Sequence, residues 1–281
     1  MAHYLDPKND LTFKRVFGEH KHLCMSLLNS MLPLEKPIVN IEYQTGELVP
    51  ELTIILRNTI VDVRCTDEDG RQFIVEMQMY WTESFKSRML FNASKAYVKQ
   101  LNRAGEIKLL QPVYALSFVN KTFEKSPEMA NEYYHHYKIV NIKDSEKQIE
   151  GLEFIFIELP KFKSQNRAEK KLHELWLRFL TEINESTKEA PKELMANDYT
   201  REAISYMEIS AFTKGQLEAY DKFRDAIMTE RSLIDDALTK GRTEGRTEVA
   251  LQLIKLGISI DDIVQSTGFT REEIIKLSSR A

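Results

Sequence analysis

Asp62, Glu76 and Gln78 are the residues of this chain whose types and spacing could do chemistry. They sit in Ile60-Val61-Asp62-Val63-Arg64-Cys65, then Asp67-Glu68-Asp69-Gly70, then Phe73-Ile74-Val75-Glu76-Met77-Gln78-Met79. Two apolar, strand-like runs flank a turn, and each carries an acid where an apolar residue would be easier to bury. A carboxylate taken out of water is unfavourable unless it is paired or bound to a metal. Two carboxylates brought together on one surface look like a divalent-cation site.

The elements that must bring them together can be tested by parity. Side chains alternate along a strand. Ile60, Asp62 and Arg64 therefore share one face, opposite to Val61, Val63 and Cys65. Ile74, Glu76, Gln78 and Tyr80 share a face, opposite to Phe73, Val75, Met77 and Met79. A three-residue loop with Gly in the left-handed position is a common hairpin connection. If Glu68-Asp69-Gly70 is that loop, Asp67 faces Arg71 and Asp62 faces Glu76. Directly opposed side chains lie roughly 5 Å apart, so the two carboxylates and Gln78 converge. A four-residue loop would break this register. Like charges opposed in this way repel, and a cation between them relieves the repulsion. The plainer alternative is three hydrogen-bonded polar residues on one strand face.

An acid, a hairpin and then acid-x-Lys or acid-x-Gln resembles the PD-(D/E)xK nuclease pattern, here Asp62 followed by Glu76-Met77-Gln78. The opening Asp6-Pro7-Lys8-Asn9-Asp10-Leu11-Thr12-Phe13-Lys14-Arg15-Val16-Phe17-Gly18 adds to it. Together they resemble the recombination-promoting nuclease and transposase family of that superfamily, over roughly residues 4–160. The segment Gly241-Arg242-Thr243-Glu244-Gly245-Arg246-Thr247-Glu248 and the tail after it resemble the same family's C-terminal end. The resemblance implies an α/β, restriction-endonuclease-like core, a mixed sheet flanked by helices, followed by a mainly helical C-terminal region. It implies a DNA endonuclease in which Asp62 and Glu76 hold Mg²⁺ or Mn²⁺, with the Met77 carbonyl and waters completing an oxygen shell. The metal would polarise the phosphate and acidify a water for in-line attack. Gln78 stands where a Lys would supply positive charge, and as an amide it could orient the water or donate to phosphate. Asp10 near the metal and Lys14 near phosphate are the supporting roles implied; a helix cap and a solvated lysine are the plainer ones. The implied settings are recombination, mobile DNA or defence. The alternative is a catalytically weak or inactive DNA-binding or interaction protein on a nuclease fold.

Composition sets the outer bounds. The 281 residues are 42% hydrophobic and 29% charged, as in a soluble globular protein. No apolar run approaches the ~20 residues of a membrane span. The Met1–Asp6 opening has no signal-peptide core. Cys24 and Cys65 lie in apolar runs and read as buried thiols, which suits a reducing cytoplasm. The net charge of -4 is not that of a protein coating nucleic acid, yet a local basic groove and a metal can still bind phosphate. Phosphate-binding Gly-rich loops, His-Glu-x-x-His and Gly-x-Ser-x-Gly are all missing from the sequence.

Element by element, the pattern predicts a short helix over 11–18 with Asp10 as N-cap, and a second over 22–32. Strands are expected over 38–43, 52–56, 60–65, 73–80, 113–119 and 154–159, with a long helix over 83–102 ended near Gly105. That helix carries Arg88, Lys95, Lys99 and Arg103 at spacings of seven, four and four. The stripe could track a DNA backbone or be an ordinary solvated face. Three regions are expected: a core over 1–160, a helical accessory region over 161–240, and a C-terminal helical module over 241–281. The near-repeat of Gly-Arg-Thr-Glu reads either as a flexible joint or as a surface helix with two unfavourable glycines. Beyond it, Thr270-Arg271-Glu272-Glu273 is a capping box in a spacing like a helix-turn-helix module. That module suits packing or homo-oligomerisation better than DNA reading, because Arg271, Lys276 and Arg280 face two glutamates. Cutting both strands of a duplex with one site per chain would require a dimer; nicking would not.

Overall fold

The computed structural model of the protein describes residues 3–44, 63–79, 81–101, 110–164 and 171–279. The strand expected over 52–56, together with Asp62, Tyr80, Arg103 and Gly105, lies outside them. The chain divides into two compact units, Met1–Phe223 and Arg224–Ala281.

The first unit is a mixed six-stranded sheet flanked by helices, as expected. In chain order its elements are α1 (Asp10–Glu19), α2 (Lys21–Met31), β1 (Ile41–Tyr43), β2 (Val63–Asp67), β3 (Gln72–Gln78), α3 (Phe85–Lys99), β4 (Val113–Val119), β5 (Tyr134–Asn141), β6 (Asp144–Glu158), α4 (Leu172–Glu182), α5 (Lys192–Ala196) and α6 (Asp198–Ser205). The strand order is β1-β2-β3-β4-β6-β5. β1, β2 and β3 are antiparallel; β3, β4 and β6 run parallel, with α3 as the crossover between β3 and β4; β5 closes the far edge antiparallel.

Both faces of the central strands are covered, which is why β3 and β4 read as nearly continuous apolar runs. On one face Val63, Cys65, Phe73, Val75, Leu116, Phe118 and Ile157 pack with Phe13 and Phe17 of α1, Leu27 of α2, and Trp176 and Phe179 of α4. On the other, Ile74, Ala115, Val119 and Phe156 meet Phe85, Met89, Ala93 and Ala96 of α3.

The hairpin between β2 and β3 has the register that the three-residue loop requires. Val63 pairs with Val75, Arg64 with Ile74 and Cys65 with Phe73. Gly70 takes φ +86, the left-handed conformation that glycine adopts without steric cost. Asp67 and Arg71 close the loop: Arg71 Nε donates to Asp67 Oδ2 at 2.6 Å, and the Arg71 amide donates to Asp67 Oδ1 at 2.8 Å. Because the strand period is two, a slip of one residue would turn every side chain to the wrong face.

Two expectations are corrected. The N-cap of α1 is Asn9, whose Oδ1 accepts from the Leu11 amide at 3.0 Å; Asp10 is the first helical residue. β6 begins at Asp144 rather than 154, and it pairs with β5, an edge strand whose outer half is exposed and lacks a clean alternation. α4 packs into the sheet's own core through Trp176 and Phe179.

The second unit begins within α7 (Lys214–Lys255). The Gly-Arg-Thr-Glu near-repeat is helical there, which settles the joint-or-helix alternative. α8 (Ile260–Thr267) is capped by Ser259 and ends at left-handed Gly268, and α9 (Arg271–Ser278) opens with the expected Thr270–Glu273 capping box. Ala250, Ile263 and Ile274 form the centre of this unit's small core. Arg271 is paired with Asp261 on the surface of this unit.

Gly70→Ala tests the register lock. A Cβ at φ +86 is strained and would also meet Gln111 Cγ at 3.2 Å. The expected cost is about 1–2 kcal/mol, read as a melting temperature several degrees lower. An unchanged melt would show that the loop geometry does not hold the hairpin.

Candidate active site

Glu76 is 5% exposed, on the sheet face covered by α3. Parity along β3 puts it there beside Ile74 and Gln78, while Phe73, Val75 and Met77 face α1, α2 and α4. Its partners are few. Asn92 Nδ2 of α3 donates to Oε1 at a long 3.4 Å, and Arg88 Nη2 lies 3.9 Å from Oε2, too far for a hydrogen bond. Arg88 instead donates to Gln78 Oε1 at 2.5 Å. Arg88 and Asn92 are one helical turn apart and so share the side of α3 turned toward β3.

A second buried glutamate shows what full satisfaction looks like in this sheet. Glu158, at the end of β6 and on the same face, is wholly buried. Its carboxylate meets His135 Nε2 at 2.7 Å and Lys161 Nζ at 2.7 Å, and it accepts from the Phe123 amide at 2.8 Å. Every partner a buried carboxylate needs is supplied by protein, so Glu158 is a structural tie. Glu76 has no such set among the described residues.

Two further buried polar atoms around Glu76 lack hydrogen-bond partners among the described residues. Ser117 is the β4 residue paired with Glu76, and its Oγ has no hydrogen-bond partner; neither has Arg88 Nε. Native interiors leave few such groups, and each calls for an explanation such as a water, an ion or a catalytic role. Burial is the largest influence on Glu76 and raises its pKa from 4.5 to about 7, against the smaller opposing pull of Arg88 and Asn92. A carboxyl poised near neutrality beside the unpartnered Ser117 hydroxyl oxygen suits a hard divalent cation, which would favour the ionised form.

The structure thus brings Glu76 and Gln78 together. The β2–β3 register Val63↔Val75 is the one that pairing of positions 62 and 76 requires, while Asp62 lies outside the described residues. The Met77 side chain packs on the opposite face. Asp10 and Lys14 form an ion pair with one another at 2.7 Å on α1, which packs against the other face of the sheet; neither is among the partners of Glu76. Of the α3 stripe, Arg88 turns inward to Gln78, the Lys95 ammonium sits 4.2 Å from the Phe91 ring centroid, and Lys99 is exposed. Asn92 and Ser117 are the site residues that periodicity did not single out. The signal for Ser117 was one hydroxyl within the apolar run Val-Tyr-Ala-Leu-Ser-Phe-Val; for Asn92 it was a polar residue four after Arg88 on the buried side of α3.

The raised pKa of Glu76 predicts a pH dependence. Between pH 4.5 and about 7 the folded chain holds a proton that the unfolded chain has released. The group's contribution to stability is therefore full below pH 4.5 and lost as pH rises through about 7. In EDTA, wild type should lose more melting temperature from pH 5 to pH 8 than Glu76→Gln does. Parallel pH profiles for the two proteins would contradict a buried, proton-holding Glu76.

A family model described as PD-(D/E)XK nuclease family transposase matches residues 7–237. Neither the curated proteins nor the solved structures contain a match.

Proposed function

The chain belongs to the PD-(D/E)XK nuclease family of transposases, and on that premise we propose that it is a metal-dependent DNA endonuclease with its site at Glu76. The observation that carries the reading is the contrast between the two buried glutamates. Glu158 is fully satisfied by protein, whereas Glu76 is buried with one long hydrogen bond and orphaned polar atoms beside it.

In this reading Asp62 and Glu76, with the Met77 carbonyl, hold Mg²⁺ or Mn²⁺. When bound, the ion supplies positive charge to a phosphodiester and lowers the pKa of a water. The chain supplies the rest. The sheet and α3 exclude bulk water around Glu76 and so strengthen every charge interaction there. Gln78 contributes an amide that orients water or phosphate by hydrogen bonding. Lys95, Lys99 and Arg103 on and beyond α3 offer positive charge to a DNA backbone despite the net charge of -4. Recombination, mobile DNA and defence are the settings such an activity serves. The buried free thiols Cys24 and Cys65 support a cytoplasmic one.

Supercoiled plasmid incubated with Mg²⁺ should be cut by wild type and left intact in EDTA. Asp62→Ala and Glu76→Ala should each slow cleavage by about 100-fold or more, roughly 2.7 kcal/mol of lost transition-state stabilisation. No cutting by folded wild type, or equal cutting by the variants, would favour a DNA-binding protein on a nuclease fold instead.

A further inference from the structure

We propose that Arg88, reaching in from α3 and held by Gln78, supplies the positive charge that the strand motif Glu76-Met77-Gln78 lacks, and that its guanidinium contacts the scissile phosphate. This rests on the nuclease reading of the Glu76 site. Phosphodiester hydrolysis places growing negative charge on the phosphoryl oxygens, and fixed cations aimed at that charge are worth the most in a water-poor site. On β3 the position two after Glu76 is a neutral amide, so no cation comes from the strand. One comes from the helix. Arg88 is 22% exposed on its side chain, and its Nη2 donates to Gln78 Oε1 at 2.5 Å. Its Cζ lies 4.9 Å from the Phe85 ring centroid, which fixes the plane of the fork.

The geometry separates this arrangement from an ordinary ion pair. An arginine placed to neutralise Glu76 would form a bidentate fork with the carboxylate at about 2.7–2.9 Å. Arg88 stays at 3.9 Å, tethered to the amide oxygen of Gln78 instead. Its buried Nε has no hydrogen-bond partner among the described residues, so the guanidinium retains donor capacity in the site. A planar fork with spare donors matches the oxygens of a phosphate better than an ammonium does. Gln78 is then a positioning residue, and it has a role that a lysine at position 78 would abolish by repelling Arg88.

The test uses full-length Arg88→Met, Arg88→Lys, Gln78→Lys and the double variant Gln78→Lys/Arg88→Met, each checked by circular-dichroism melting. Two quantities are measured: the single-turnover cleavage rate of duplex DNA at saturating Mg²⁺, and Mn²⁺ affinity by electron paramagnetic resonance without DNA. Arg88→Met should slow cleavage by about 10²–10³-fold. It should bind Mn²⁺ as tightly as wild type or more so, because a cation facing the metal has been removed. Arg88→Lys should lie between wild type and Arg88→Met. Gln78→Lys/Arg88→Met should recover roughly tenfold or more over Arg88→Met, because the charge returns from the strand. A merely structural Arg88 would lower Mn²⁺ affinity and rate together and show no rescue, which would overturn the proposal. So would wild-type cleavage by Arg88→Met, and that result would leave the nuclease reading standing. Absence of cleavage by wild type would remove the nuclease reading and this proposal with it.

Discussion

The burial of one carboxylate constrains everything around it. Glu76 lies in the middle of a sheet covered on both faces, where an ionised group without partners is strongly disfavoured. The fold could have silenced it as it silences Glu158, with a histidine, a lysine and a backbone amide. It provides instead a long contact from Asn92, an arginine held at arm's length and an unpartnered serine hydroxyl. Leaving Glu76 in this state costs stability at neutral pH, and retaining such a residue makes physical sense where a ligand restores the balance. The register lock at Asp67, Gly70 and Arg71 and the seating of α3 by Phe85, Met89 and Ala93 shape that site. Each decides which side chains face Glu76.

Much of this was legible in the sequence because its signals are local. A strand period of two and a glycine that can adopt positive φ are enough to derive the hairpin register. The apolar run 113–119 appears as β4 without adjustment, and the capping box at Thr270 is present as written. What escaped is non-local or geometric. Asn9 and Asp10 are both good capping residues, and only the backbone shows which side chain reaches the Leu11 amide. β5 is an edge strand, exposed along its outer half, and so carries no alternating pattern. The amphipathic pattern of α4 was plain, but not that Trp176 and Phe179 fill the core beneath Phe17, about 160 residues earlier.

The site divides in the same way. Glu76 and Gln78 could be placed on one face from spacing alone. Arg88 read as the first member of a stripe that could track a DNA backbone or be an ordinary solvated face, since helical periodicity gives the side of a helix but not the distance to a neighbouring strand. Packing decides it: Phe85 and Met89 anchor the first turns of α3 on the sheet, and position 88 is carried against β3. Further along α3, Lys95 and Lys99 are less constrained, so one helix face supplies an inward cation at one end and outward cations at the other. Local charge placement of this kind would reconcile a mildly acidic chain with the polyanionic substrate proposed for it.

Titration of the metal-free protein with Mn²⁺, followed by electron paramagnetic resonance for wild type and Glu76→Gln, tests the central claim most directly. A buried carboxylate left open for a cation predicts saturable binding by wild type, weakened by on the order of 100-fold or more in Glu76→Gln, with the fold intact by circular dichroism. Absence of binding by wild type, or equal binding by both proteins, would contradict it.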